Sequence, residues 1–281
     1  MTVVHDMGGF DEPLLVFGGP YSNLQATQAM LAEAKRLDIP PRRILCTGDL
    51  VAYCGDPRAT VELIRDAGIA VVMGNCEESL GDASEDCGCG YQAGSMCDLL
   101  SVQWYGHANR LLDDETKAWM RGLPRHIGFR LAGRRLLAVH GGVSSINRIV
   151  FPATPADEKA AELALSGADG VVAGHSGVPF SQLANGRLWH NAGAIGLPAN
   201  DGTPRVWYSI LRPCSDGVLV EHRPLAYDHA AAARSMREAG LPDAYAETLE
   251  TGIWPSDDLM PEADRGARGV PLAPNPLLWR H

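Results

Sequence analysis

Lysine is almost missing from this chain. Only Lys35, Lys117 and Lys159 occur, and arginine supplies the rest of the 24 basic residues. Basic charge as a whole is short, with 34 acidic residues giving a formal net charge of −10. A net anion repels a phosphate backbone, which excludes a broad nucleic-acid-binding surface. Anionic small substrates stay open, because a bound metal reverses the local field. No apolar run reaches ten residues, too short for a bilayer-crossing helix, so no membrane partner is expected. The N-terminus (MTVVHDMGGFDEP) lacks a basic stretch followed by an apolar one, so no secretory signal is read there. With seven cysteines, an odd number, this predicts a cytoplasmic chain with reduced thiols. Gly-x-Ser-x-Gly and a Gly-rich loop ending in Gly-Lys-Ser/Thr are both absent, which leaves serine-hydrolase and P-loop chemistry unsupported.

What is present suits a globular α/β protein. The 281 residues (30.1 kDa) are 46% hydrophobic and 21% charged. Apolar runs at Leu14 to Phe17, Arg43 to Cys46 and Ile69 to Met73 read as strands. Helical spacing follows over Asn23 to Leu37, with Ser22 as the expected cap, and again after Pro57. The pattern lapses from Cys76 to Gly94, a connection long enough to be functional or mobile. Helices are expected at Cys97 to Leu112, Asp114 to Gly122 and Pro155 to Ser166. Strands are expected at Ile127 to Leu131, Arg135 to Val139 and Gly170 to Ala173, then in succession to Arg223. A helical pair, Tyr227 to Ala239 and Pro242 to Glu250, closes the pattern. The sequence predicts one domain over residues 1–252, a layered α/β sandwich, and a Pro-rich tail over 253–281 that is either disordered or pinned by Trp254 and Trp279.

Four strands end alike, in a polar residue within a Gly-containing turn: TGD (Asp49), MGN (Asn75), VHGG (His140) and AGHS (His175). Strand ends of open α/β sheets open into one crevice, where ligands bind. A carboxylate, an amide and two imidazoles suit Mn, Zn or Fe. The blocks LLVFGGPYSNLQAT, TGDLVAYCGDP, VVMGNCEE, AVHGG, VAGHSG and WHNAGAIGLPANDGTPRVWYSIL resemble the calcineurin-like metallophosphoesterase superfamily, in its small bacterial and archaeal phosphodiesterase-like branch. The resemblance spans roughly Leu14 to Gly252. It implies a four-layer α/β/β/α sandwich with mixed sheets and two metals about 3.5 Å apart that clamp a phosphate and activate water.

Departures from the family pattern concentrate at one metal. The family's opening Asp-x-His-Gly-Asn is here Gly19-Pro20-Tyr21-Ser22-Asn23, so its Asp and His are absent. Gly-Asn-His-Asp is here Gly74-Asn75-Cys76-Glu77, and the closing Gly-His-x-His is Gly174-His175-Ser176-Gly177. By resemblance, Asp49 is the bridging ligand, and Asn75, His140 and His175 belong to the second metal. The first metal loses its private ligands. The expectation is a single ion on Asp49, Asn75, His140 and His175, or a second site rebuilt from other donors. Tyr21, Cys54, Cys76 and the pair Cys87 and Cys89 are candidates for rebuilding. Cys76 stands where the family's leaving-group histidine stands, and Asn23 where its phosphate-contacting asparagine stands; these two are the expected catalytic residues, although Asn23 equally suits a helix cap. Arg148 is a candidate phosphate contact. Asn191 is expected to shape a turn beside the site. His5 and Asp6 read as terminal residues, and His107, His126, His190, His222, His229 and His281 as surface or packing histidines.

The function expected is hydrolysis of a small phosphomono- or diester with one or two divalent or transition metals. A homo-oligomer is compatible with it. Two alternatives from other classes remain: a metal- or ligand-binding protein on the same scaffold without catalysis, and a cysteine-assisted metal or redox site.

Overall fold

A computed structural model describes residues 4–280. Two six-stranded mixed sheets form its centre. One sheet has the order β1 (His5–Phe10), β5 (Ile127–Leu131), β6 (Arg134–Ala138), β7 (Gly170–Ala173), β9 (Arg187–Asn191), β8 (Phe180–Ala184). The other has the order β12 (Leu277–Arg280), β11 (Gly217–Leu225), β10 (Val206–Cys214), β2 (Leu14–Phe17), β3 (Ile44–Cys46), β4 (Ala70–Val71). Strands β2, β3 and β4 run parallel, as do β6, β7 and β9.

Period-two alternation explains the layers. Leu14 and Val16 of β2 meet Phe129, Leu136 and Val172 of the opposite sheet. Leu15 and Phe17 point the other way, into the core beneath the helices. That outer layer holds α1 (Leu24–Arg36), α2 (Pro57–Ala67), α3 (Asn75–Gly81), α4 (Met96–Leu111), α5 (Asp114–Arg121), α7 (His229–Glu238) and α8 (Asp243–Thr251). On the far side α6 (Ala156–Ser166) covers β7 and β9 through Leu163. The result is the four-layer α/β/β/α sandwich with mixed sheets.

Three readings of the sequence need correction. His5 and Asp6 are not terminal residues: they lie in β1, an edge strand paired in parallel with β5 at Ile127 and Gly128. The stretch from Cys76 to Gly94 is not wholly irregular, since Asn75–Gly81 is helical. The Pro-rich segment from residue 253 is no detached tail. Trp254 donates Nε1–H to Pro198 O (2.6 Å), β12 pairs with β11, and Trp279 is buried between the sheets.

One polar tie crosses the sandwich. His190 of β9 meets Ser209 of β10 (Nε2···Oγ, 2.7 Å), and Ser181 Oγ contacts both His190 Nδ1 and His222 Nε2 (2.9 Å each). Burial holds both histidines below their ordinary range, His222 down to about 4. Their folded values lie below the unfolded ones, so both states are neutral above pH about 6.5 and the unfolded state gains protons first as pH falls. Stability should therefore drop between pH about 6.5 and about 4. Urea titrations of His222→Gln should show a slope shallower by about 1 kcal/mol per pH unit than the parent. Parallel slopes would show that His222 is not linked to folding.

Candidate metal centre

Four strand ends converge at one edge of the sandwich. Asp49 follows β3, Asn75 opens α3 just beyond β4, His140 follows β6 and His175 follows β7, so each sheet supplies two residues. The backbones there almost touch. A Cβ built on Gly174 would lie 2.0 Å from Thr47 Oγ1, so only glycine lets the two strand ends approach. His175 N–H donates to His140 O (3.0 Å), which locks the two histidine turns together.

His140 Nε2 is the hub. It lies 3.1 Å from Asp49 Oδ2, 3.1 Å from Asn75 Oδ1 and 2.8 Å from His175 Nδ1. Asp49 Oδ2 and His175 Nδ1 are 3.8 Å apart. Donors held about 2.0–2.2 Å from one tetrahedral ion lie about 3.3–3.6 Å from each other, and the distances here, 2.8 to 3.8 Å, bracket that spacing. The outer atoms of each side chain fix which atom faces inward. His140 Nδ1–H donates to Thr47 O (2.7 Å), leaving Nε2 for the site. Asn75 Nδ2 donates to Cys87 O (2.8 Å), so its Oδ1 must face His140. Two acceptor oxygens and two imidazole nitrogens gathered this closely require a cation or a proton between them.

In the metal-free centre the proton takes that place. Burial opposes charge on His140, but the Asp49 carboxylate and the Thr47 carbonyl hold it above its usual range. Burial and the adjacent His140 keep His175 below its usual range, against the pull of Asp49. Burial works against ionised Asp49 too, yet the two histidines hold its carboxyl well below the ordinary carboxylate range. A divalent ion must displace the His140 proton, so metal affinity rises with pH.

Glu77, to which the sequence analysis assigned no role, holds the centre's frame. Its Oε2 accepts from the Asp49 N–H (2.8 Å) and the Gly74 N–H (2.9 Å), and its Oε1 accepts from the Leu50 N–H (2.8 Å). It is fully buried. Three backbone donors on one carboxylate pin the Asp49 turn to the start of α3. The signal was legible: an acidic residue three positions after Gly74 reads as a capping box.

The other expected site residues fall out as follows. Cys76 sits at the centre, where its N–H donates to Asp49 Oδ1 (3.2 Å) and its side chain lines the adjoining cavity. Burial, and then Asp49, push the Cys76 thiol up, so it stays protonated. Asn23 serves the frame: its Oδ1 caps α1 through Ala26 N–H and one Nδ2–H donates to Gly196 O (both 3.0 Å). Ser22, the expected cap, therefore yields that role to Asn23. Arg148 is taken by Glu158 (2.7 Å) and Glu162 (3.3 Å). Cys54 Sγ points at Gly196 O (3.6 Å). Asn191 ties Ser176 Oγ (2.9 Å) to the turn at Gly193 (3.0 Å). Cys87 and Cys89 are bonded to each other, which corrects both the fully reduced set and the thiolate pair.

The Tyr21 side chain packs against Gly19 and Gly177. A Cβ built on Gly19 would meet its ring at 2.3 Å, and one built on Gly177 would lie 3.7 Å from its hydroxyl. Burial, and then Asp49, raise its phenol well above the ordinary range, so it is a hydroxyl rather than a phenolate.

The sequence pattern of the calcineurin-like phosphoesterase superfamily domain matches residues 20–212, well over half of the chain, and the chain belongs to that superfamily. It is 28% identical over 204 residues to an uncharacterized protein of Methanocaldococcus jannaschii, covering 68% of this chain and 77% of that one. Among solved structures, a metallophosphoesterase from Sphaerobacter thermophilus shares the fold (TM-score 0.66, 24% identity, 87% of this chain and 100% of that one). So does a hypothetical protein from Pyrococcus horikoshii (TM-score 0.73, 15% identity, 86% and 99%). Among the described residues, Asp49, His140 and His175 form a group able to hold a metal ion, and no helix is long and apolar enough to cross a membrane.

Proposed function

We propose that this chain hydrolyses small phosphoesters with a single transition-metal ion held by Asp49, Asn75, His140 and His175. One observation carries the reading: His140 Nε2, Asp49 Oδ2, Asn75 Oδ1 and His175 Nδ1 gather within a few ångströms while the outer atoms of His140 and Asn75 are anchored on carbonyl oxygens. Such an ion supplies Lewis acidity at the phosphoryl oxygen and a bound water acidified for attack.

The chain's own groups do the rest. Thr47 O and Cys87 O aim the two ligands they hold. Glu77 keeps the Asp49 turn in register with α3. Tyr21 fills the place of the family's other ion, so the charge clamp is half the usual one, and its hydroxyl remains as a neutral hydrogen-bond donor. The buried Cys76 thiol lies on the same side as a weak donor toward a departing oxygen.

The expected result is one Mn, Zn or Fe per chain by element-resolved analysis of protein purified without added metal, with slow hydrolysis of bis-p-nitrophenyl phosphate in Mn²⁺. Two ions per chain at saturation would overturn the single-ion reading. The loss of the first metal's private ligands also favours a non-catalytic metal-binding protein. One bound ion with no turnover on any phosphomono- or diester would select that second reading.

A further inference from the structure

An open-mouthed cavity of about 70 Å³ has Asp49, Cys76 and His175 in its lining. Its walls are rings and aliphatic groups: Tyr53, Tyr91, Phe151, Leu197, Tyr245 and Trp254. Tyr53 anchors the ring cluster, edge-on to Tyr21 (centroids 4.9 Å) and tilted to Tyr245 (4.7 Å). No lysine or arginine is among the lining residues, and the one ionised carboxylate, Asp49, sits at the floor.

Sites for polyanionic phosphates place arginine or lysine around the substrate. Here the nearby arginines are engaged. Arg148 is bound by Glu158 and Glu162. Arg125, beside a second cavity that reaches His140, pairs with Glu78. Any substrate charge beyond what the metal neutralises enters an apolar cavity in a protein of net charge −10 with nothing to meet it. The ring faces and edges favour an aromatic group.

We infer that this cavity takes the aromatic ester group of a singly charged phosphodiester, and that the substrate class is aryl phosphodiesters rather than polyphosphates. The inference rests on the hydrolase reading of the same centre. The aromatic group lies along Tyr53, Tyr245 and Trp254, with the phosphoryl group toward Asp49 and His175. Specificity comes from apolar burial on one side of the phosphorus and from the absence of a second positive charge.

Calorimetric binding to the Mn²⁺-loaded full chain tests this, at a pH where the phosphonates are dianions. Phenylphosphonate should bind tenfold or more tighter than methylphosphonate, which has the same charge and no ring. Adding one negative charge in 4-carboxyphenylphosphonate should lower affinity tenfold or more. Leu259→Arg, at a partly buried wall position, should recover most of that loss. Equal, metal-dependent affinities for phenyl- and methylphosphonate would overturn the aryl inference and leave the hydrolase reading standing. Absence of metal-dependent binding of either phosphonate, with no hydrolysis of bis-p-nitrophenyl phosphate, would remove both.

Discussion

His140→Ala should lose metal binding and, with it, the proposed hydrolysis. His140 Nε2 is the atom from which Asp49 Oδ2, Asn75 Oδ1 and His175 Nδ1 all lie within 3.1 Å. Removing it takes one of about four donors, the number a transition metal needs to be held. It also frees the Thr47 carbonyl that His140 Nδ1–H satisfies. If the ion supplies about 4 kcal/mol of charge stabilisation, hydrolysis falls on the order of 10³-fold. Metal content should fall from about one ion per chain to near zero after dialysis. The variant should remain folded by circular dichroism, with a lower Tm from the small buried void. Retention of full metal content would place the ion elsewhere.

Glu77→Ala should be the most destabilising single change at the centre. The side chain is fully buried and is the acceptor for the backbone N–H groups of Asp49, Leu50 and Gly74. Each buried donor left unpaired costs about 1–3 kcal/mol, so the three together put the loss at about 3–9 kcal/mol before any offset. Burial, and then Asp49, push Glu77 up to about 7 in the metal-free protein, so part of its ionisation cost offsets those bonds. Glu77→Gln keeps one oxygen but turns an N–H₂ group toward a backbone donor, and should cost less, about 2–3 kcal/mol. Denaturant unfolding of both variants in the metal-free state checks the order. A loss below about 1 kcal/mol for Glu77→Ala would mean that the Asp49 turn holds without it.

Much of the frame is local in origin. Short apolar runs ending in Gly-containing turns mark β3, β6 and β7, because a parallel strand buried on both faces must be apolar and must turn sharply at its end. The same turns named Asp49, Asn75, His140 and His175. Other features leave no such trace. β1 is mostly exposed along His5–Phe10, and only its pairing with β5 makes it a strand. β12 hides in a Pro-rich segment because Trp279 is buried by a partner far away in sequence. The bond from the Asn23 amide to Gly196, 173 residues distant, is another.

By itself the sequence determined the layered α/β class and the four donor types at the strand ends, since alternation, glycine turns and donor chemistry act over a few neighbouring residues. Only the tertiary structure decided that these donors share one hub, that Tyr21 packs against Gly19 and Gly177, and that rings from residues as far apart as 53 and 254 line one cavity. Those outcomes depend on through-space distances between distant segments, which no local pattern carries.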